Sequence, residues 1–211
     1  MSVVLSFTLL LTSASAQSLE KKGAQRNLIL EEVTKVAEKL DVEIVTDNSQ
    51  IPKGERLSFQ TVEEFEAFLA TFKSLDAIDS SIPRTLPHMF SFDPSKPITS
   101  SEVLNWWAPF TGWGMTGLAC WKNIAFSYTY SLKDGLKSVS DDITSYLSGI
   151  KIAVSWVQTA KSGNIYTNSQ GSGINFNVKG YYLLGLTVGG FEIGAKINDS
   201  WSRDFKYSVN T

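Results

Sequence analysis

Apolar residues between positions 25 and 40 recur at three- and four-residue intervals: Leu28, Ile29, Val33, Val36, Ala37 and Leu40, with Glu31, Glu32, Lys35, Glu38 and Lys39 between them. That spacing gathers one apolar stripe and predicts an amphipathic helix. The period falls to two over Asp41-Val42-Glu43-Ile44-Val45-Thr46, a short strand closed by the turn-forming Asp47-Asn48-Ser49. Leu57 and Phe59 mark a second brief strand. It runs into Thr61-Val62-Glu63-Glu64, where Thr61 can cap a helix and Glu64 can return the hydrogen bond to the Thr61 backbone N–H. Phe65, Phe68, Leu69 and Phe72 then share one helical face. From Asp76 to Ser101 the periodicity disappears, and Pro83, Pro87, Pro94 and Pro97 arrive among Ser, Thr and Asp, as in an extended linker.

Beyond Trp121 the period is two. Ile124, Phe126, Tyr128, Tyr130 and Leu132 alternate with small or polar residues, as do Ile150, Ile152, Val154 and Trp156. Ile174, Phe176 and Val178 continue into Tyr182, Leu184, Leu186 and Val188, and Phe191, Ile193, Ala195 and Ile197 make another run. Asn198-Asp199-Ser200 has the composition of a turn, after which Trp201, Phe205, Tyr207 and Val209 alternate again, with Arg203 breaking the apolar face. Gly189-Gly190 supplies a hairpin turn, and Lys161 to Ser172 has the make-up of a polar loop. Ser138 to Leu147 places Ile143, Tyr146 and Leu147 at helical spacing behind Asp141 and Asp142, which predicts a helical turn. Five or six alternating strands, each able to bury one face, predict an antiparallel sheet structure. The expected fold class is therefore α+β: a small N-terminal helix/strand unit followed by an antiparallel β-sandwich or barrel-like C-terminal domain.

The first residues change the picture of where the protein works. Val3 to Leu11 is almost unbroken apolar sequence and leads to Ala14-Ser15-Ala16, the order of a secretory h-region and an A-x-A cleavage site, although no Lys or Arg precedes Val3. The run is far short of the about 20 apolar residues a spanning helix needs. Cleavage after Ala16 is expected, giving a secreted, extracellular protein. The organisation is then a signal peptide at 1–16, an α+β unit at 17–75, a Pro-rich linker at 76–100 and a β domain at 101–211. A lipid anchor would need a cysteine at the cleavage point, and the one cysteine is Cys120, so no anchor and no internal disulfide are expected. A packed core must supply the stability, for which a hydrophobic share of 43% is sufficient.

The formal charge is −2, and no stretch concentrates Lys and Arg on a face, which argues against a nucleic-acid partner. The lone histidine, His88, sits in the Pro-rich segment and has the setting of a loop residue; Cys120 lies in an apolar context with the character of a small buried hydrophobe. No Gly-x-Ser-x-Gly elbow occurs. One His and one Cys cannot build a nitrogen and sulfur metal shell, so no metal site and no cofactor are expected; the only alternative is calcium on loop carbonyls with Asp141 or Asp142. For glycoside hydrolysis, which needs two facing carboxylates, the β-rich half offers Asp134, Asp141, Asp142, Glu192, Asp199 and Asp204, most of them in expected turns.

The segment Trp106-Trp107-Ala108-Pro109-Phe110-Thr111-Gly112-Trp113 concentrates aromatic rings beside glycines and a proline, an irregular composition for a strand. Trp106, Trp107, Phe110 and Trp113 are the candidate ligand contacts, since exposed Trp on a rigid frame stacks on sugars or enters a membrane interface. The more ordinary role of such rings is to fill the base of a β domain. Asn198-Asp199-Ser200 also matches an N-glycosylation acceptor, for which the expected turn is a sufficient explanation. The leading functional expectation is an exported, non-enzymatic binding or interaction module whose partner is a glycan or a surface protein. A membrane-active β-protein is the alternative, disfavoured because an outer-membrane barrel needs at least about eight strands. A secreted hydrolase is the weaker third.

Overall fold

The computed structural model describes residues 7–47, 49–52, 54, 56–76, 95–108, 120–149, 151, 153–169 and 171–207. Helix α1 runs over Phe7–Lys39, longer than the periodic stretch alone predicts, and α2 over Val62–Asp76. Strands β1 (Glu43–Val45) and β2 (Leu57–Phe59) fall where the sequence places them. The α2 cap forms with one change: the Glu64 backbone N–H donates to Thr61 Oγ1 at 3.3 Å, but the Glu64 carboxylate accepts from the N–H of Gln60, one residue before Thr61, at 2.8 Å. Phe65, Phe68, Leu69 and Phe72 are all buried, each contributing on the order of 1.5–3 kcal/mol.

The remaining strands are β3 (Ile98–Trp107), β4 (Cys120–Ser131), β5 (Gly135–Val139), β6 (Thr144–Gly149), β7 (Val154–Asn168), β8 (Gly171–Val188) and β9 (Phe191–Tyr207). They form two sheets. In the five-stranded sheet β8 is central, with β9 along one side and β7 and β2 along the other, and β1 lies outside β9. Every pairing is antiparallel except β2 with β8. In the four-stranded sheet β4 is central, with β3 along one side and β5 and β6 along the other. Neither sheet closes into a barrel.

The inward face of the long β8–β9 ribbon is shared by two coverings. At one end α2 packs on it, with Phe72 edge-on to Tyr182 at 5.3 Å. At the other end the four-stranded sheet packs on it, with Phe126 4.3 Å from Phe176 and 5.2 Å from Phe205, and Tyr130 5.5 Å from Tyr207. One core cluster runs through both, from Val33 and Phe65 to Tyr207. The N-terminal elements thus share their sheet and their core with the C-terminal strands. Gly189 and Gly190 have φ of 55° and 83°, the two positive values a two-residue hairpin of this twist requires.

Several expectations are corrected. Ser138 to Leu147 holds no helical turn: it is the end of β5, a short link and the start of β6, both strands bonded to β4. Ile143 and Leu147 bury on one side and Tyr146 is exposed on the other, a strand's alternation that happens also to fit helical spacing. Lys161 to Asn168 and Gly171 to Ser172 are strand, not loop. They form the tip of the β7–β8 hairpin, polar because β7 is paired on one side only and mostly exposed, with a bulge at Gln158/Ala160. Asn198-Asp199-Ser200 is not a turn but the middle of β9, opposite Tyr181, Gly180 and Lys179. The expected linker ends inside β3, because Ile98 to Ser100 already pair with β4, while residues 77–94 and the expected strand positions Ile150 and Ile152 lie outside the described residues. Trp106 and Trp107 are regular strand residues.

Candidate functional site

Inward positions of β3 and β4 are even-numbered: Trp106, Ile124, Phe126 and Tyr128 are buried. The odd-numbered positions therefore form the outward face of the four-stranded sheet. Their register pairs like with like: Thr99 with Thr129, Ser101 with Ser127, Val103 with Ala125, Asn105 with Asn123, and Trp107 with Trp121. Beside β4, the β6 residues Thr144, Tyr146 and Ser148 face Ala125, Asn123 and Trp121. None of these outward positions is charged.

The rungs are physically joined. Trp107 and Trp121 stack at 5.0 Å with 29° between their planes, yet Trp107 stays 56% exposed, and Tyr146, across from Asn123 on β6, is 42% exposed. Asn123 is buried, its amide donating to the Trp121 carbonyl at 3.0 Å, the Tyr146 carbonyl at 3.2 Å and Ser148 Oγ at 2.8 Å. Asn105, across from it, is exposed. The hydroxyl rungs close at 3.0 Å between Ser101 and Ser127 and 3.2 Å between Thr99 and Thr129. Between aromatic and hydroxyl rungs, the short side chains of Val103 and Ala125 leave a shallow open cleft of about 470 Å³, bordered by Ser101, Ser127, Thr144 and Asp142.

Of the four expected contact residues, only Trp107 is shown exposed. Trp106 is core: it meets Trp201 edge-to-face at 5.6 Å and carries the Arg203 guanidinium over its ring at 4.3 Å. Phe110 and Trp113 lie outside the described residues. Consecutive strand residues point to opposite sides, which is why adjacent tryptophans have opposite fates. Sequence reading missed Trp121, Tyr146, Asn105 and the hydroxyl rungs. The signal was present as a near-mirror, Thr-x-Ser-x-Val-x-Asn-x-Trp answered by Trp-x-Asn-x-Ala-x-Ser-x-Thr, and becomes legible once β3 and β4 are folded against one another.

The other chemistry-bearing groups are committed elsewhere. Asp199 faces inward and accepts from Lys122 Nζ at 3.2 Å and from Trp201 Nε1 on the same oxygen at 2.7 Å. Lys122 Nζ also lies 5.3 Å from the Trp201 ring and 5.5 Å from that of Tyr182. A buried charge is tolerated when paired and bonded in this way. Glu192 pairs with Arg56 at 3.1 Å, Asp134 with Lys137 at 2.9 Å, and Asp204 accepts from Asn175 at 2.8 Å. Although Glu102 also borders the cleft, it holds an inward register position, and its charge acts on the buried Tyr128 phenol. Burial first, and that carboxylate after it, push the phenol up to about 12. Glu102 and Asp142 therefore sit on opposite sides of β3 and β4, not across a sugar from one another.

Burial likewise pushes the Cys120 thiol up to about 11, which makes it a poor nucleophile. His88 lies outside the described residues, and among the described residues no three His, Cys, Asp or Glu side chains group as metal ligands, Asp141 and Asp142 included. Comparison of the chain with protein families, with curated proteins and with solved structures gave no match.

Proposed function

We propose that this protein is an exported, non-enzymatic binding module: a β-sandwich whose N-terminal unit completes one layer, and whose contact surface is the outward face of the four-stranded sheet. The observation that carries the reading is the row of like-paired, uncharged rungs ending in a Trp pair of which Trp107 is 56% exposed. A half-exposed tryptophan held by a neighbouring ring on a paired strand is rigid, and rigid amphipathic rings supply contact area at small entropic cost. The dispersal of the carboxylates weakens the hydrolase alternative.

Export rests on the N-terminal sequence. Side chains from Leu19 to Leu28 are exposed, and packing begins with Ile29 and Val33. Among the described residues no helix is long and apolar enough to cross a membrane.

Tryptophan emission of the purified protein, titrated with a panel of polysaccharides and with lipid vesicles, tests the binding reading. A saturable change with one probe, absent in Trp107→Ala, is the expected outcome. A response identical in wild type and Trp107→Ala for every probe removes this face from consideration. N-terminal sequencing of the protein recovered outside the cell is expected to begin at Gln17.

A further inference from the structure

The outward face of the four-stranded sheet is longer than any single small ligand. Its five rungs, from Thr99–Thr129 to Trp107–Trp121, cover eight residue steps, about 27 Å at the rise of an antiparallel strand. Along that length the chemistry is ordered: stacked aromatics first, then the Asn105–Asn123 amides, then a cleft, then two rungs of hydroxyls.

We propose that this face takes a neutral glycan chain lying along β3 and β4, with one sugar ring stacked on Trp107 and the following rings over Asn105, the cleft and the Ser101–Ser127 rung. The inference rests on the reading of this face as the binding surface. A sugar ring presents an apolar C–H face and a rim of hydroxyls that both donate and accept. The indole matches the first. The exposed Asn105 side chain and the Ser and Thr hydroxyls, bonded to one another across each rung at 3.0 and 3.2 Å with lone pairs left over, match the second. Asn123 is buried, and its amide donates to the Trp121 and Tyr146 carbonyls and to Ser148 Oγ, which holds the aromatic end in place.

Charge selects the class of glycan. The outward positions of β3, β4 and β6 hold no Lys or Arg, and the charged group bordering the cleft from the outward side is Asp142. A uronate or sulfate placed there would lose water, gain no cation and meet a carboxylate. Length selects a chain over a monosaccharide, because one ring covers only one or two rungs.

The test titrates the purified protein, by calorimetry and tryptophan emission, with neutral oligosaccharide ladders of glucose, mannose, galactose, xylose and N-acetylglucosamine from disaccharide to hexasaccharide. Polygalacturonate and phosphatidylcholine vesicles run beside them, with sedimentation to follow self-association. Circular dichroism confirms that each variant is folded. Affinity for one neutral ladder is expected to climb with chain length and to fall about tenfold or more in Trp107→Ala. Asn105→Ala should weaken it less, and Lys179→Ala, on the other sheet's outward face, should leave it unchanged. Equal affinity for disaccharide and hexasaccharide overturns the chain along the strands. Trp107-dependent binding of polygalacturonate or vesicles alone, or Trp107-dependent dimerisation, overturns the neutral glycan while keeping the face as a binding surface. Absence of any Trp107-dependent event removes both.

Discussion

The two sheets show opposite outward faces. On β8 and β9 the outward positions include Lys179, Glu192, Lys196, Asp204 and Lys206, and one end is covered by Val45 and Ile51, packed over Gly185 and Gly194. Lys196 there pairs with Glu43 of β1 at 2.8 Å and lies over the Tyr181 ring at 4.8 Å. On β3, β4 and β6 the outward positions carry no charge and leave Trp107 half in solvent. Charges keep a sheet face soluble and free of partners, whereas an uncharged face bearing rigid aromatics costs solubility unless it contacts something. The difference is what the proposed contact face rests on: one face is charged and partly covered by the protein's own N-terminal strands, the other is uncharged and carries a half-exposed tryptophan.

Both faces depend on the same interior, and the largest effect is expected there. Lys122→Ala leaves Asp199 buried without its cation and should cost about 3–5 kcal/mol in urea unfolding, whereas the double change Lys122→Met with Asp199→Leu should recover most of it. A loss below about 1 kcal/mol in the single variant would show that the pair does not tie the sheets together.

The next effect separates the faces. A Cβ at Gly194 would stand 3.0 Å from Val45 and 3.1 Å from Ile51, so Gly194→Val should cost about 1–3 kcal/mol while leaving ligand titrations unchanged. Trp107→Ala should do the reverse, weakening binding about tenfold or more at a cost of no more than about 1.5 kcal/mol. If the two variants exchange these phenotypes, the comparison of faces is wrong.

The last effect is nil at neutral pH and emerges only in alkali, as a pH dependence seated on the inward side of β4. The Cys120 thiol is raised from 9.0 to about 11 and the Tyr128 phenol from 10.0 to about 12, both by burial. In each case the unfolded chain releases the proton first, so the stability these neutral groups contribute is complete below pH 9 and is lost as pH rises towards 12. Unfolding free energies measured across that window should fall steadily. A flat profile would mean that neither group is shielded as the fold implies.

Much of the fold was readable from period alone. The α2 face, its Thr61 cap, β1, β2 and the Gly189-Gly190 hairpin all follow from local chemistry, because each is decided by residues within a few positions of one another. Two of the misreadings share one cause. The β7–β8 tip and Asn198-Asp199-Ser200 are polar segments that local composition assigns to loops, yet long-range pairing holds them as strand. Arg203, which breaks the apolar face in the sequence, is accommodated because the Trp106 ring lies under its guanidinium.

The candidate site was legible only in part. A Trp-rich segment could be singled out, but which tryptophan is buried depends on strand parity, and which residues stand beside Trp107 depends on a register joining positions up to about thirty apart. By itself the sequence determined the elements that short-range periodicity and capping decide, and the presence of a signal-like N-terminus. Tertiary structure alone decided that Lys122 meets Asp199, that Trp106 and Trp107 part company, and that Thr, Ser, Asn and Trp each find their like across two strands. The physical reason is that side-chain alternation is written along a strand, while the identity of its neighbour is fixed by hydrogen bonds to a segment distant in sequence.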